Sequence, residues 1–260
     1  MRLDVYLSSN GLVKSRQKAK TLIEEGNVTV DSVTVKKPSF EIDELTEHKI
    51  EIYDSCPYVS RGGLKLEKIL SLLGLDLEGK TAIDIGASTG GFTHCLLLNG
   101  VSKVYSVDSG SNQLHESLLN DNRVESIENF NARDLTKENI GELVDLVVCD
   151  VSFISQTYII EVAKNLIKNN GIYIGLIKPQ FEVGKSKVGK GGIVKDPKYR
   201  FEAIKKVLEN AKENGLKCIA FTKSPIFGGD GNIEYLAAFT KHDNSLNNEI
   251  TLAKIKELYK

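Results

Sequence analysis

The stretch Ala82-Ile83-Asp84-Ile85-Gly86-Ala87-Ser88-Thr89-Gly90-Gly91-Phe92 reads as an apolar strand that breaks into a glycine-rich turn and then opens a helix. A dinucleotide site needs Gly-x-Gly-x-x-Gly to bring backbone N–H groups onto a pyrophosphate, and a P-loop needs Gly-x-x-x-x-Gly-Lys followed by Ser or Thr. Neither is present. The spacing is Asp-x-Gly-x-x-x-Gly, in which Asp84 can accept hydrogen bonds from an ammonium or a held water. Gly86, Ser88, Thr89, Gly90, Gly91 and Phe92 then let the backbone approach an uncharged, thioether-linked amino acid, a chemistry that suits S-adenosylmethionine. Asp108 ends the next apolar run, Val104-Tyr105-Ser106-Val107, where a Rossmann-type fold places the acid that binds ribose hydroxyls. Asp134, after a third run, is a candidate acceptor for the adenine amine, although a solvated loop acid fits that position equally well.

Outward from this turn, β-branched apolar runs near 81–85, 103–108, 124–128, 144–150, 172–177, 217–222 and 233–240 alternate with helical patterns. This alternation predicts an α/β, Rossmann-like sheet of seven strands with its ligand sites at the carboxyl ends. The connection Pro225 to Asn232 is too short and glycine-rich for a crossover helix, so the last strand is predicted to run antiparallel. Upstream, a helix from Ser15 to Glu25 and two short strands, Val28–Val30 and Val33–Val35, predict a small α+β domain. Asp31-Ser32 stands where a hairpin turn favours Asn-Gly or Asp-Gly. The predicted division is 1–56 for the small domain and linker, 57–243 for the large domain and 244–260 for a C-terminal amphipathic helix.

Lys plus Arg number 34 against 35 for Asp plus Glu, so any field for nucleic acid must come from local clustering. Such clustering occurs at Lys14, Arg16, Lys18 and Lys20 around the first predicted helix, and in Gly184-Lys185-Ser186-Lys187-Val188-Gly189-Lys190-Gly191-Gly192, which reads as a mobile loop that closes on phosphates. Arg61, ahead of the helix bearing Leu66, Ile69, Leu70 and Leu73, is counted with these cations. The scattered Cys56, Cys95, Cys149 and Cys218 suit reduced thiols rather than a metal site. With no run of about 18 apolar residues and no apolar leader, the chain is expected to stay in the cytoplasm, without membrane partners.

The fourth strand of the large domain ends in Asp150-Val151-Ser152-Phe153, without the Asp/Asn-Pro-Pro-Tyr of amine methylases, and Cys149 within it reads as a core thiol. The fifth ends in Lys178-Pro179, a lysine leaving an apolar strand and stopped by proline. Lys65 borders the apolar stripe of its helix whereas Lys68 points away, and Glu234 opens the last strand.

Together with Arg2-Leu3-Asp4, Ser15-Arg16, Val59-Ser60-Arg61-Gly62-Gly63-Leu64-Lys65-Leu66, Asp150 to Ser155, Lys178-Pro179-Gln180-Phe181-Glu182 and Gly231-Asn232-Ile233-Glu234, these motifs resemble the TlyA family. Its members are known both as haemolysins and as ribosomal RNA 2'-O-methyltransferases, with an S4-like domain fused to an FtsJ-like methyltransferase. The resemblance implies a catalytic tetrad of Lys65, Asp150, Lys178 and Glu234, ribosomal RNA or ribosomal subunits as partners, and a cytidine 2'-hydroxyl as acceptor, on the large subunit for so short a member. Lys178 would serve as a neutral base or as an ammonium that stabilises a developing alkoxide; burial and Lys65 would lower its pKa, and Asp150 and Glu234 would oppose that. Two other classes stand beside this reading. A membrane-active cytolysin lacks a spanning segment, and a non-catalytic RNA-binding factor would not need turn, acid and tetrad together.

Overall fold

The computed structural model describes residues 1–53, 56–228, 230–241 and 249–258. The N-terminal part packs α1 (Leu3–Ser9) and α2 (Arg16–Glu24) on a three-stranded sheet in the order β2-β1-β3, with β1 at Val28–Val30, β2 at Val33–Thr34 and β3 at Ile50–Ile52. Ser15 caps α2 by accepting from the Lys18 backbone N–H, and Leu3, Leu7, Ala19, Leu22, Ile23 and Val28 form the core. Two elements were not predicted. Seven residues of α1 are too few for a periodic signal, and the Ile50-Glu51-Ile52 alternation is hidden in an acid-rich run. The hairpin turn forms without glycine: Asp31 and Ser32 both take positive φ, 51° and 69°. The Asp31 carboxylate offsets that strain by accepting from the Lys49 N–H at 2.9 Å and pairing with His48 Nδ1 at 2.7 Å.

The large sheet has seven strands in the order β6-β5-β4-β7-β8-β10-β9. They are β4 (Thr81–Ile85), β5 (Lys103–Val107), β6 (Val124–Ile127), β7 (Val144–Cys149), β8 (Ile167–Ile177), β9 (Leu216–Lys223) and β10 (Tyr235–Lys241). The last strand inserts between β8 and β9, antiparallel to both, which is the predicted direction, so it is central rather than an edge. Helices α3 (Gly62–Leu73) and α4 (Gly91–Leu98) cover one face; α7 (Gln156–Leu166) and α9 (Pro197–Glu213) cover the other. The pleat sorts each strand between two cores. In β7, Leu146 and Val148 join Leu66 and Ile69 of α3, while Val147 and Cys149 join Ile159 and Ile160 of α7.

The expected crossover helices on the β5–β6–β7 side shrink to α5 (Glu116–Leu119) and α6 (Lys137–Ile140), because turn formers such as Ser109-Gly110-Ser111-Asn112 occupy the connection. After β8 comes the single turn α8 (Pro179–Glu182). The C-terminal helix is α10 (Leu252–Leu258), with Tyr259 and Lys260 outside the described residues. Among the described residues no helix is long and apolar enough to cross a membrane.

Candidate active site

Strands β4, β5, β7 and β8 end at one edge of the sheet, and the antiparallel β10 begins there, so residues far apart in sequence meet. The glycine turn follows β4. Gly86 takes φ 83°, and a Cβ on it would lie 2.5 Å from the Asp150 carbonyl oxygen, so only glycine lets the ends of β4 and β7 close on each other. Gly90 caps α4 in the left-handed region, at φ 91°. Asp84 is fully buried. Its Oδ2 accepts from Thr93 N at 2.9 Å and Thr93 Oγ1 at 2.7 Å, which fixes the first turn of α4, while Oδ1 has no protein partner. Burial pushes its carboxyl up to about 7, against the hydrogen bonds from Thr93. Asp108 accepts from Ser88 N and Gly110 N, both at 2.8 Å, and so ties the glycine turn to the end of β5.

The four side chains singled out at the sheet edge form one chain of charges. Lys65 Nζ donates to Glu234 Oε2 at 2.7 Å and lies 3.5 Å from Asp150 Oδ2; Lys178 Nζ lies 2.6 Å from Asp150 Oδ1 and donates to Ser152 Oγ at 2.9 Å. Lys65, Lys178 and Glu234 are all buried. Burial would raise the Asp150 carboxyl, but Lys178 and then Lys65 overcome it and hold it at about 2. Burial opposes the charge on Lys65; Asp150 and Glu234 outweigh it, and its pKa is raised.

A cavity of about 260 Å³ opens between the turn and these charges, lined by Gly86 to Thr89, Gly91, Phe92, Lys65, Asp150, Ser152 and Lys178. Glu234 stands behind Lys65 as its partner and Asp108 behind Ser88; neither lines the cavity. Asp134 lies exposed on a single 3-10 turn, Ala132–Asp134, away from the cavity lining. Cys149 is a fully buried core thiol, pushed up to about 12 by burial, with Gln156 Nε2 3.5 Å from its sulfur.

The expected RNA-facing cations divide. Lys14, Lys18, Lys185 and Lys190 are exposed and Lys20 is half-buried. Arg16 holds the buried Asp4 at 2.9 Å and so joins α2 to α1, leaving half of its side chain exposed. Arg61 is not a surface cation: it is buried, donates to Thr34 Oγ1 of the N-terminal hairpin and lies over the Tyr53 ring. Lys187 is taken up by Glu202 and the face of Tyr199. The lysine loop folds into two 3-10 turns, and the buried Asn232 fastens its far end by accepting from Val194 N and donating to Gly192 O.

Three features went unread in the sequence. Glu25, Gly26, Thr34 and Lys36 of the N-terminal part also line the cavity, because the hairpin folds onto the large domain, a contact that no linear spacing announces. Glu182 accepts from Ser155 Oγ, Gln156 N and Lys206 Nζ, stapling the loop after Asp150 to the turn after Lys178. Phe153 is 91% exposed at φ 65°, a strained aromatic whose ring lies 5.1 Å from that of Phe181.

Residues 58–241 match the FtsJ-like methyltransferase family and residues 1–45 the S4 domain. Hemolysin A of Brachyspira hyodysenteriae is 45% identical over 240 residues, spanning 92% of this chain and 99% of that protein. The 16S/23S rRNA (cytidine-2'-O)-methyltransferase TlyA of Mycobacterium tuberculosis (strain ATCC 25618 / H37Rv) is 40% identical over 247 residues, 95% of this chain and 92% of that one. A solved structure of a hemolysin-named protein from Streptococcus thermophilus superposes with a TM-score of 0.77 at 38% identity, covering 100% of this chain and 94% of that one.

Proposed function

Since the chain belongs to the FtsJ-like methyltransferase family, in the TlyA branch that joins it to an S4 domain, we propose that it methylates a ribose 2'-hydroxyl, that of a cytidine, in ribosomal RNA. The observation that carries the reading is the cluster Lys65–Glu234 and Lys65–Asp150–Lys178 at the mouth of the glycine turn. S-adenosylmethionine, when bound, supplies an electrophilic methyl group on a sulfonium. Gly86 to Thr89, Gly91 and Phe92 would hold it, with Asp84, whose Oδ1 has no protein partner, and Asp108 as candidate acceptors for its ammonium and ribose from behind the cavity lining.

A ribose hydroxyl is a weak nucleophile whose oxygen must be aligned and its developing negative charge met. Lys178 is placed for this: Asp150 and Ser152 hold its amine at the cavity wall, and as an ammonium donor it orients the acceptor oxygen and offsets the negative charge that grows on it as the O–C bond forms and the C–S bond breaks, the hydroxyl proton passing to solvent water. Lys65 and Glu234 do not reach the acceptor in this scheme; they fix Asp150, which fixes Lys178. Phe153, exposed beside Ser152, offers a ring on which the acceptor base stacks. Lys14, Lys18, Lys20, Lys185 and Lys190 supply the phosphate contacts, and access to ribosomal RNA requires that the protein work in the cytoplasm.

The test is incubation of ribosomal particles with labelled S-adenosylmethionine and mapping of the modified sugar. The expected product is a 2'-O-methylated cytidine, lost in Lys178→Ala while cofactor binding persists. Label on a base, or a fully active Lys178→Ala, would refute the reading.

A further inference from the structure

The N-terminal hairpin is seated on the catalytic domain at two points. Arg61 reaches Thr34, and Ser32 and Val33 lie 3.5 Å from where a Cβ on Gly231 would stand, three residues before Glu234. This seating brings Lys36 into the wall of the cavity that Lys65, Asp150 and Lys178 line. Gly26 makes room for it, since a Cβ there would come within 3.1 Å of Lys36 Cε.

The charges around the cavity differ in their state of compensation. Lys65 is matched by Glu234 and Asp150, Lys178 by Asp150, and Arg61 is buried on Thr34 and Tyr53. Glu25 receives Asn27 Nδ2 at 3.1 Å. Lys36 alone among these cations is exposed, with neither an ion pair nor a hydrogen bond among the described residues. An ammonium on a flexible stem, uncompensated at the rim of a site that admits a ribose, matches a backbone phosphate one nucleotide from that ribose.

We propose that Lys36 is part of the acceptor site: the S4 domain does not only tether RNA but supplies the cation that clamps the phosphate beside the target ribose. The inference rests on the methyltransferase reading above. Such a clamp acts on the alignment of the 2'-oxygen, so its loss lowers kcat as well as affinity, whereas a distant tethering cation changes KM alone.

The experiment compares wild type, Lys36→Ala, Lys36→Arg and Lys80→Ala in steady-state methylation of ribosomal particles, with S-adenosylmethionine Kd and Tm measured on each. Lys80 is exposed ahead of β4, at the opposite end of the strand, and controls for a lost charge. Lys36→Ala is expected to lower kcat roughly tenfold, as for loss of one charge-assisted contact, with cofactor Kd and Tm unchanged. Lys36→Arg recovers most of the rate and Lys80→Ala matches wild type. An unchanged kcat with only a raised KM overturns the proposal, and so does a raised cofactor Kd, which would assign Lys36 to the cofactor carboxylate. A wild-type chain inactive on every particle removes the parent reading and this one with it.

Discussion

Replacing Asp150 by Asn removes the one anion that touches both buried lysines, at 3.5 Å from Lys65 and 2.6 Å from Lys178, without changing the volume of the side chain. Holding the carboxyl at about 2 against an ordinary 3.8 corresponds to roughly 2 kcal/mol of folded-state stabilisation at neutral pH. For a chain of this size that is a fall in Tm of roughly 4 to 8 °C. The sign follows from the depressed pKa. The contribution is complete above the unfolded value and fades as pH drops through the folded one, so the stability gap between wild type and variant is constant from pH 8 to 5 and narrows below about pH 4. Activity suffers separately, because Lys178 keeps only Ser152 to hold it; an ångström of displacement costs roughly 10²-fold in rate. Chemical denaturation across pH, with labelled-methyl turnover on ribosomal particles, measures both. A variant as stable as wild type at pH 7, or one retaining full kcat, would show that the charge chain is not what holds the lysine in place.

Phe153→Asn places a residue tolerant of the left-handed region at φ 65°, and since the ring is 91% exposed, Tm should hold or rise while turnover falls roughly tenfold through lost stacking. A variant with undiminished turnover would exclude stacking. Gly86→Ala meets both a positive φ and the Asp150 carbonyl, so it should cost more than about 1–2 kcal/mol in unfolding free energy and weaken S-adenosylmethionine binding measured by calorimetry. Asp84, raised to about 7, contributes stability that is complete below the unfolded value of 3.8 and is lost as pH climbs through 7. The ligand-free protein should therefore lose stability between pH 4 and 7, and Asp84→Asn should flatten that slope while weakening cofactor binding; a slope unchanged in the variant would assign it to other groups.

The sheet was legible because buried parallel strands write continuous apolar runs, and the short Pro225–Asn232 connection announces the antiparallel strand from the sequence alone. Asp150 and Lys178 stood out as charges following apolar strands, whereas Lys65, inside a helix, and Glu234 joined them as a tetrad only through the family resemblance. What escaped was tertiary. Arg61 looks like any exposed cation until the hairpin folds onto it, and Lys187 until α9 presents Glu202 and Tyr199. Asp84 and Asp108 read as ligand-facing acids, yet each spends oxygens on the protein, Asp84 on Thr93 in the first turn of α4 and Asp108 on Ser88 of the glycine turn and on Gly110: the carboxylates shape the loop and the helix that follows it. Lys36 and Glu182 sit in runs where sequence offers no contrast, and only the docking of separate segments gives them a place.

The insertion of β10 between β8 and β9 carries a consequence for biogenesis. Lys65 and its partner Glu234 are 169 positions apart, so the nascent chain carries one amine without its second acid until residue 234 has emerged. Loop closure over that span comes late, and a lysine ammonium denied one counterion resists burial. Competence for chemistry thus arrives in the same event that completes the sheet, and a chain cut short ahead of Glu234 lacks both that acid and β10, the strand that seats it.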